Sequence, residues 1–248
     1  MTLTKDTKIS GMLCLAVFAT VTFALTLLFY PLPLLGNVEA ITGQAMQTLT
    51  YSAGHQGFLI TLLVFSITTA WVIKKSPIKR HLLIQLGLLL VLSFGAKSLL
   101  KNVTESPRPY THLLAEQHVI KTPSDFYTLN LTEKDHAIDQ VSEQVSHWRT
   151  IHWMGETDYS FPSGHTIFAS ICVLFFGGLL LSNGRYFLAT LTIIWASSVA
   201  MSRLWLGMHR PIDLFGSMLF GLLLYAVVPM TYPFLEKWLK KAKERVKV

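Results

Sequence analysis

Phe161-Pro162-Ser163-Gly164-His165-Thr166 marks the point where a long polar stretch gives way to a long apolar run. Proline suits the first turn of a helix, where its missing N–H has no partner to lose. Ser163 and Gly164 then offer a hydroxyl and free backbone N–H groups at a helix start, and glycine lets an anion come close to the backbone. His165 adds a group that exchanges a proton near neutral pH. Alone, the stretch also reads as an ordinary polar cap followed by an interfacial histidine. What surrounds it decides between the two.

The 248-residue chain is 51% hydrophobic and only 14% charged, with a mean hydropathy of +0.45. That is too apolar for an ordinary soluble domain, and the apolar residues come in long blocks. The blocks predict an all-α membrane protein with six transmembrane helices over 9–30, 57–73, 82–100, 162–181, 186–203 and 211–229, forming a single domain over 1–248. Val38-Glu39-Ala40 loosely resembles a signal-cleavage site, but the first block is too long for a signal core and reads as a retained span. Residues 31–56, which contain no Lys or Arg, read as a linker, and Asn183-Gly184-Arg185 as a tight turn. The insertion between the third and fourth spans, 101–161, holds nine of the fourteen acidic residues and belongs in water. It is expected to be partly helical, with a short amphipathic helix within 131–148 packed over the membrane surface. The Lys-rich tail from Glu236 reads as an amphipathic helix on an anionic membrane face.

Basic residues set the orientation. With the N-terminus cytoplasmic, Lys5, Lys8, Lys74, Lys75, Lys79, Arg80, Arg185 and six residues of the tail make thirteen on that side. Seven lie opposite, spread over far more chain, with Lys97 counted inside the third span. The rule that short cytoplasmic loops carry the excess Lys and Arg then puts both termini inside and the insertion outside. The net charge of +7 is made of these clusters beside apolar blocks. It is not an aromatic-studded basic patch, so no nucleic-acid partner is expected. Cys14 and Cys172 sit within apolar blocks and read as buried hydrophobes, not as a disulfide.

Three polar clusters share the external face: Lys101 to Pro109, Pro162 to His165, and Ser202-Arg203 with His209 and Asp213. Cations, helix N-terminal N–H groups and a hydroxyl together describe a phosphate site. Pro211 reads as the first residue of the sixth helix, which puts Asp213 in its first turn and within reach of His209. A carboxylate holding one imidazole N–H frees the other nitrogen as a nucleophile, and His165 is then available to protonate the leaving oxygen. Each piece has a duller reading. Lys101 and Arg108 would be snorkelling interface residues, Arg203 and Asp213 a structural ion pair, and His209 a cap. Lys97, one turn before Lys101, reads as a further cation of the phosphate field or as a snorkeller. His112, His118, His136, His147 and His152 of the insertion fit no metal-ligand spacing, so no metal or other cofactor is expected.

Lys101-x6-Arg108-Pro109, Pro162-Ser163-Gly164-His165 and Ser202-Arg203-x5-His209-x3-Asp213 together resemble the three-part signature of the type 2 phosphatidic acid phosphatase superfamily. That superfamily contains membrane lipid phosphatases and shares its phosphate pocket with vanadium haloperoxidases. Every signature position is filled. Asp125 to Leu129, Ser146-His147-Trp148 and the run Ser202 to His209 resemble the bacterial phosphatidylglycerophosphatase B branch. The resemblance implies His209 as the nucleophile that becomes a phosphohistidine, Asp213 as its orienting and charge-balancing partner, and His165 as acid and then base. It implies Lys101, Arg108, Arg203, Ser163 and the Gly164 N–H as holders of the phosphoryl oxygens. It also implies a bacterial inner-membrane location with the site facing outward. The substrates it supplies are membrane lipid phosphates: phosphatidylglycerophosphate, undecaprenyl diphosphate, phosphatidic acid and lysophosphatidic acid. A lipid-linked phosphotransferase and an anion-binding transporter are the rival functions. Preference among the lipids and oligomeric state are not readable from the chain.

Overall fold

The structure is a computed structural model that describes residues 2–74 and 78–234. The tail read as an amphipathic helix lies outside the described residues. Eleven α-helices account for nearly all of the order among the described residues, and the sole β-type pairing there is an isolated bridge between Gly36 and Val145.

The centre of the bundle is the helix that follows the Pro-Ser-Gly-His stretch. It runs as α8 (Gly164–Cys172), one π-helical turn (Val173–Gly177) and α9 (Gly178–Ser182), and every residue from Thr166 to Leu180 is buried. Packed against it are α1 (Thr2–Phe29), α4 (Lys79–Thr104), α10 (Tyr186–Trp205) and α11 (Pro211–Val227). Small residues let α1 approach closely: a Cβ on Gly178 would lie 2.8 Å from Gly11 Cα. Backbone contact of this kind is how helices associate where apolar burial against lipid gains nothing. The outer faces carry bare apolar side chains, such as Leu28 (75% exposed), Ile60 (67%) and Val91 (71%). A belt of that size requires a non-aqueous surround.

Among the described residues, four helical stretches are long and apolar enough to cross a membrane: Thr4–Phe29, Lys79–Glu116, Gly164–Ser182 and Tyr186–Trp205. The block at 57–73 forms α3 (Phe58–Val72), which is 15 residues long, and α11 has 17. At 1.5 Å rise per residue these are roughly 22–26 Å, short of a ~30 Å hydrocarbon core. The linker reading of 31–56 is corrected. It contains α2 (Ala40–Ala53), which turns into α3 through Gly54–Gly57 with a bend of 70°. Its Ala, Thr and Gln residues favour or tolerate helix but give no apolar block, so hydropathy alone passes over it.

The insertion folds as a cap with its own core. It comprises α5 (Pro109–Glu116), a 3₁₀ turn (Asp125–Thr128), α6 (Leu131–Asp139) and α7 (His147–Gly155). Within 131–148 the expected short helix is α6, which ends at Asp139, and α7 begins only at His147. A reciprocal Asn130–Glu133 capping box starts α6, and after it the chain turns so that Val141 and Val145 enter the cap core beside Ile138. Tyr110 stacks on Trp153 at 5.0 Å and meets Phe126 edge-on. The cap grips the loop between α10 and α11. Arg149 Nε donates to Trp205 O (3.1 Å), Trp153 Nε1 to Leu206 O (2.6 Å) and Tyr110 N to Gly207 O (3.1 Å). That loop carries His209, so the cap's packing fixes the position of the site.

Candidate active site

Proline does not open α8. Ser163 is the N-cap, its hydroxyl accepting from Thr166 N at 3.3 Å, and Pro162 precedes it. A serine oxygen satisfies an orphan N–H that a proline could not, so the helix starts two residues later than expected. Ser163 N donates to Ser217 Oγ (2.9 Å), and Ser163 Oγ also receives Thr166 Oγ1–H (3.0 Å). The hydroxyl proton of Ser163 therefore remains available to an incoming acceptor, beside the free N–H groups of the helix start.

The loop after α10 and the first turn of α11 bring His209 and Asp213 together. Pro211 is the first helical residue and Arg210 the N-cap, so Asp213 lies in the first turn, where its carboxylate accepts from Arg210 N at 2.7 Å. His209 Nδ1 lies 3.7 Å from Asp213 Oδ2, too far for a direct hydrogen bond. His209 is not a cap, and both residues are buried. Burial pushes the His209 imidazole down to about 3, helped by Arg108 and Arg203 and opposed by Asp213. It is a neutral base at any ordinary pH.

Lys101, Arg108 and Arg203 converge on the same place, 7%, 1% and 0% exposed. Such burial rules out the snorkelling reading for the first two. Arg203 does not pair with Asp213. Its Nη2 donates to Glu156 Oε2 (2.7 Å) and its Nη1 to Thr50 Oγ1 (2.5 Å). Arg108 donates through Nη2 to Asp158 Oδ1 (2.5 Å) and through Nε to Asp158 O (2.7 Å), with Glu156 Oε2 at 3.5 Å. Lys101 Nζ lies 2.9 Å from Asp158 Oδ2 and also donates to Tyr159 O. Burial alone raises the two carboxyls, but the cations outweigh it. Arg203, His165 and Arg108 hold Glu156 well below its usual value, and Arg108 and Lys101 pull Asp158 down to about 2.

A cavity of about 400 Å³ opens onto this cluster. Its wall includes His165, His209, Gly164, Lys97, Lys101, Glu156 and Asp158, and on the apolar side Phe58, Phe94 and Phe168. Arg108 and Arg203 are absent from the wall; the two carboxylates stand between them and the opening. Glu156 Oε1 is also 4.0 Å from His165 Nε2. Lys97 bends toward the site: a Cβ on Gly164 would meet its Cδ at 2.9 Å and its Nζ at 3.3 Å. The α2–α3 elbow closes another side. A Cβ on Gly54 would lie 2.8 Å from His165 Nε2, so only glycine fits there without displacing something.

Thus the structure gathers His165, His209, Asp213, Lys101, Arg108, Ser163, Gly164, Arg203 and Lys97 around one cavity or directly behind its wall. Glu156, Asp158, Ser160, Thr50 and Gly54 belong to the same assembly and escape a reading of the sequence. Two of them are among nine acidic residues in the insertion, and two sit in the supposed linker. The available signal for the carboxylates is physical: three buried cations need countercharge. Among the described residues, no group of three His, Cys, Asp or Glu side chains is arranged to hold a metal ion.

Comparison with known proteins gives the family. Residues 82–237 match the model of the PAP2 superfamily. Phosphatidylglycerophosphatase B of Escherichia coli is 38% identical over 136 residues, covering 54% of this chain and 53% of that protein. The protein of the same name from Haemophilus influenzae is 35% identical over 193 residues, covering 72% of this chain and 76% of its own. The matched stretch thus spans about half the length of the Escherichia coli relative. With the family model covering more than half of the chain and all three polar clusters meeting at one cavity, this chain belongs to the PAP2 superfamily.

Proposed function

We propose that this chain is an integral membrane lipid phosphate phosphatase acting through a phosphohistidine. The observation that carries the proposal is a buried imidazole, His209, lining one cavity with a second imidazole, His165, and a buried cation, Lys101, with two more buried cations, Arg108 and Arg203, paired to its wall through Asp158 and Glu156. In the first half-reaction His209 Nε2 forms a bond to phosphorus as the bond to the lipid oxygen breaks, and His165 gives its proton to that departing oxygen. In the second half His165 takes a proton from water, the water oxygen bonds to phosphorus, and the N–P bond breaks. Lys101, Arg108, Arg203, Ser163 and the Gly164 N–H bind the phosphoryl oxygens, where charge builds in the transition state. Asp213 balances the charge that His209 gains. Lys97, lining the cavity, adds to the phosphate field. These fixed cations supply the charge stabilisation, and we assign no role to a metal.

The finer reading is six spans within one domain in a bacterial inner membrane, both termini cytoplasmic and the cap outside. α3 with its elbow and α11 are the two short spans. The basic-residue asymmetry supports this orientation. The apolar mouth at Phe58 and Phe94 supports sideways access: acyl chains stay in the bilayer, at about 0.8 kcal/mol per CH₂ not exposed to water, while the headgroup reaches His209. Phosphatidylglycerophosphate is the substrate favoured by the relatives' names, with undecaprenyl diphosphate, phosphatidic acid and lysophosphatidic acid as further candidates. A phosphotransferase would use the same first half-reaction. The experiment is phosphate release by purified protein in detergent from a panel of these lipids with a short soluble phosphate ester as comparator. The proposal expects kcat/KM for a long-chain lipid to exceed that for the short ester by at least tenfold. No release from any lipid would sink it and leave the transporter reading.

A further inference from the structure

Ser160 is fully buried beside the His209–Asp213 pair, and its hydroxyl has a definite geometry. Oγ lies 2.5 Å from Asp213 Oδ2, 3.3 Å from His209 Nδ1 and 3.3 Å from Met208 O. Direct contact between the imidazole and the carboxylate spans 3.7 Å. The hydroxyl thus stands between two groups usually expected to touch. We infer that Ser160 is a positioning residue of the phosphoryl-transfer site, linking His209 to Asp213 through its hydroxyl and so fixing the tautomer of the nucleophile; this rests on the assignment of His209 as nucleophile.

The proton assignment follows from counting. A hydroxyl has one hydrogen and two lone pairs. Asp213 Oδ2 only accepts, already receives Arg210 N–H at 2.7 Å, and is the nearest acceptor. The hydroxyl proton goes to it, because a bond to a carboxylate is shorter and stronger than one to a carbonyl. The serine lone pairs then face Nδ1, which must carry the imidazole hydrogen to make a bond there. Nε2 is left with its lone pair, on a ring that lines the cavity. The chain of donors runs from His209 Nδ1–H to Ser160 Oγ–H to Asp213 Oδ2. As His209 becomes cationic on bonding to phosphorus, both links strengthen, since charge-assisted hydrogen bonds are about twice as strong as neutral ones. Ser160 is held for this task by its backbone, Ser160 N donating to Ser106 O at 2.8 Å. Ser160 itself does not reach the cavity wall, so it contributes to the reaction and not to ground-state binding.

The test is the single-turnover rate of phosphoenzyme formation, measured by rapid quench into alkaline SDS with ³²P-labelled lipid, for wild type, Ser160→Ala, Asp213→Asn and the double variant. Ser160→Ala removes one oxygen from a buried site and keeps the backbone, and its thermal midpoint reports folding directly. The expected result is a rate about 10–100-fold below wild type in Ser160→Ala, with lipid KM within about twofold. In the Asp213→Asn background the same change should cost less than about threefold, because the chain it completes is already broken. Ser160→Thr, which keeps the hydroxyl, should recover most of the rate. A wild-type rate in Ser160→Ala overturns the inference. So does an equal loss from Ser160→Ala with and without Asp213→Asn, which is what a packing role gives. Failure to label wild type at all overturns the His209 assignment, and this inference with it.

Discussion

Glu156→Gln keeps the shape of the side chain that bridges Arg203 and Arg108 and removes its charge. Glu156 Oε2 is 2.7 Å from Arg203 Nη2 and 3.5 Å from Arg108 Nη2, and Asp158 bridges Arg108 and Lys101. A phosphoryl dianion needs the same guanidinium protons, so it must displace the Glu156 carboxylate. Hydrogen bonds to charged groups contribute about 1.5–3 kcal/mol and neutral ones about 0.5–1.5. An amide in place of the carboxylate therefore lowers the displacement cost by roughly 1–2 kcal/mol, or about 5–30-fold in anion affinity. Vanadate, which can adopt the trigonal-bipyramidal geometry of the transferring phosphoryl group, is the probe. Its Ki should fall by that factor in Glu156→Gln, and released phosphate should inhibit more strongly. With no anion present, the variant leaves Arg203 short of countercharge, so its thermal midpoint should drop below wild type and be restored by phosphate. A vanadate Ki that is unchanged or higher would refute the reasoning. The carboxylate would then stay in place when an anion binds.

Further outcomes follow from the same geometry. His165→Ala leaves the nucleophile and removes the acid, so turnover of a lipid ester should fall about 10²–10⁴-fold, with a much smaller loss on nitrophenyl phosphate, whose leaving group needs no proton; equal losses on both would remove His165 from that role. Gly54→Ala forces a methyl to within 2.8 Å of His165 Nε2, and kcat should drop about tenfold or more with folding intact, since small misplacements of a catalytic group are costly; wild-type kcat would mean the elbow does not set His165. His209 is neutral in the folded protein down to about pH 3, whereas the unfolded side chain takes a proton near 6.5. Its contribution to stability is therefore complete above pH 6.5 and is lost as pH falls toward 3, at up to about 1.4 kcal/mol per pH unit. The unfolding midpoint of wild type should fall more steeply over pH 6.5–4 than that of His209→Asn, and parallel curves would contradict the burial argument. Single cysteines at Thr128 and Ser76 should label from outside at Thr128→Cys only; the reverse pattern would overturn the orientation.

The parts legible in the sequence are those that depend on neighbours in the chain. Four long apolar helices announce themselves by block length, and Asn183-Gly184-Arg185 turns the chain with Gly184 at φ +71°. The three polar clusters name four of the residues that line the cavity, Lys101, Gly164, His165 and His209, together with the buried Arg108, Arg203 and Asp213 behind it. What stays hidden depends on distant partners. One miss is local instead: Ser163 displaces Pro162 from the helix start because its oxygen finds Thr166 N three residues on. The helix α2 carries no apolar block, yet its Thr50 holds Arg203 across 153 residues. Glu156 and Asp158 look like any acidic loop residues until the fold sets them against Arg203, Arg108 and Lys101. Ser160 likewise has no local signal. Its role emerges where the loop before α8 crosses the first turn of α11.

The central claim is that His209 carries the phosphoryl group during turnover. Enzyme incubated with ³²P-labelled lipid, quenched in alkaline SDS, digested at alkaline pH and mapped by mass spectrometry, tests it most directly. The account predicts an acid-labile, base-stable phosphate on the peptide containing His209 in wild type, accumulation of that species when His165→Ala slows its hydrolysis on a good leaving group, and no label in His209→Ala. Label of equal amount in wild type and His209→Ala, or label on a peptide without His209, would contradict it.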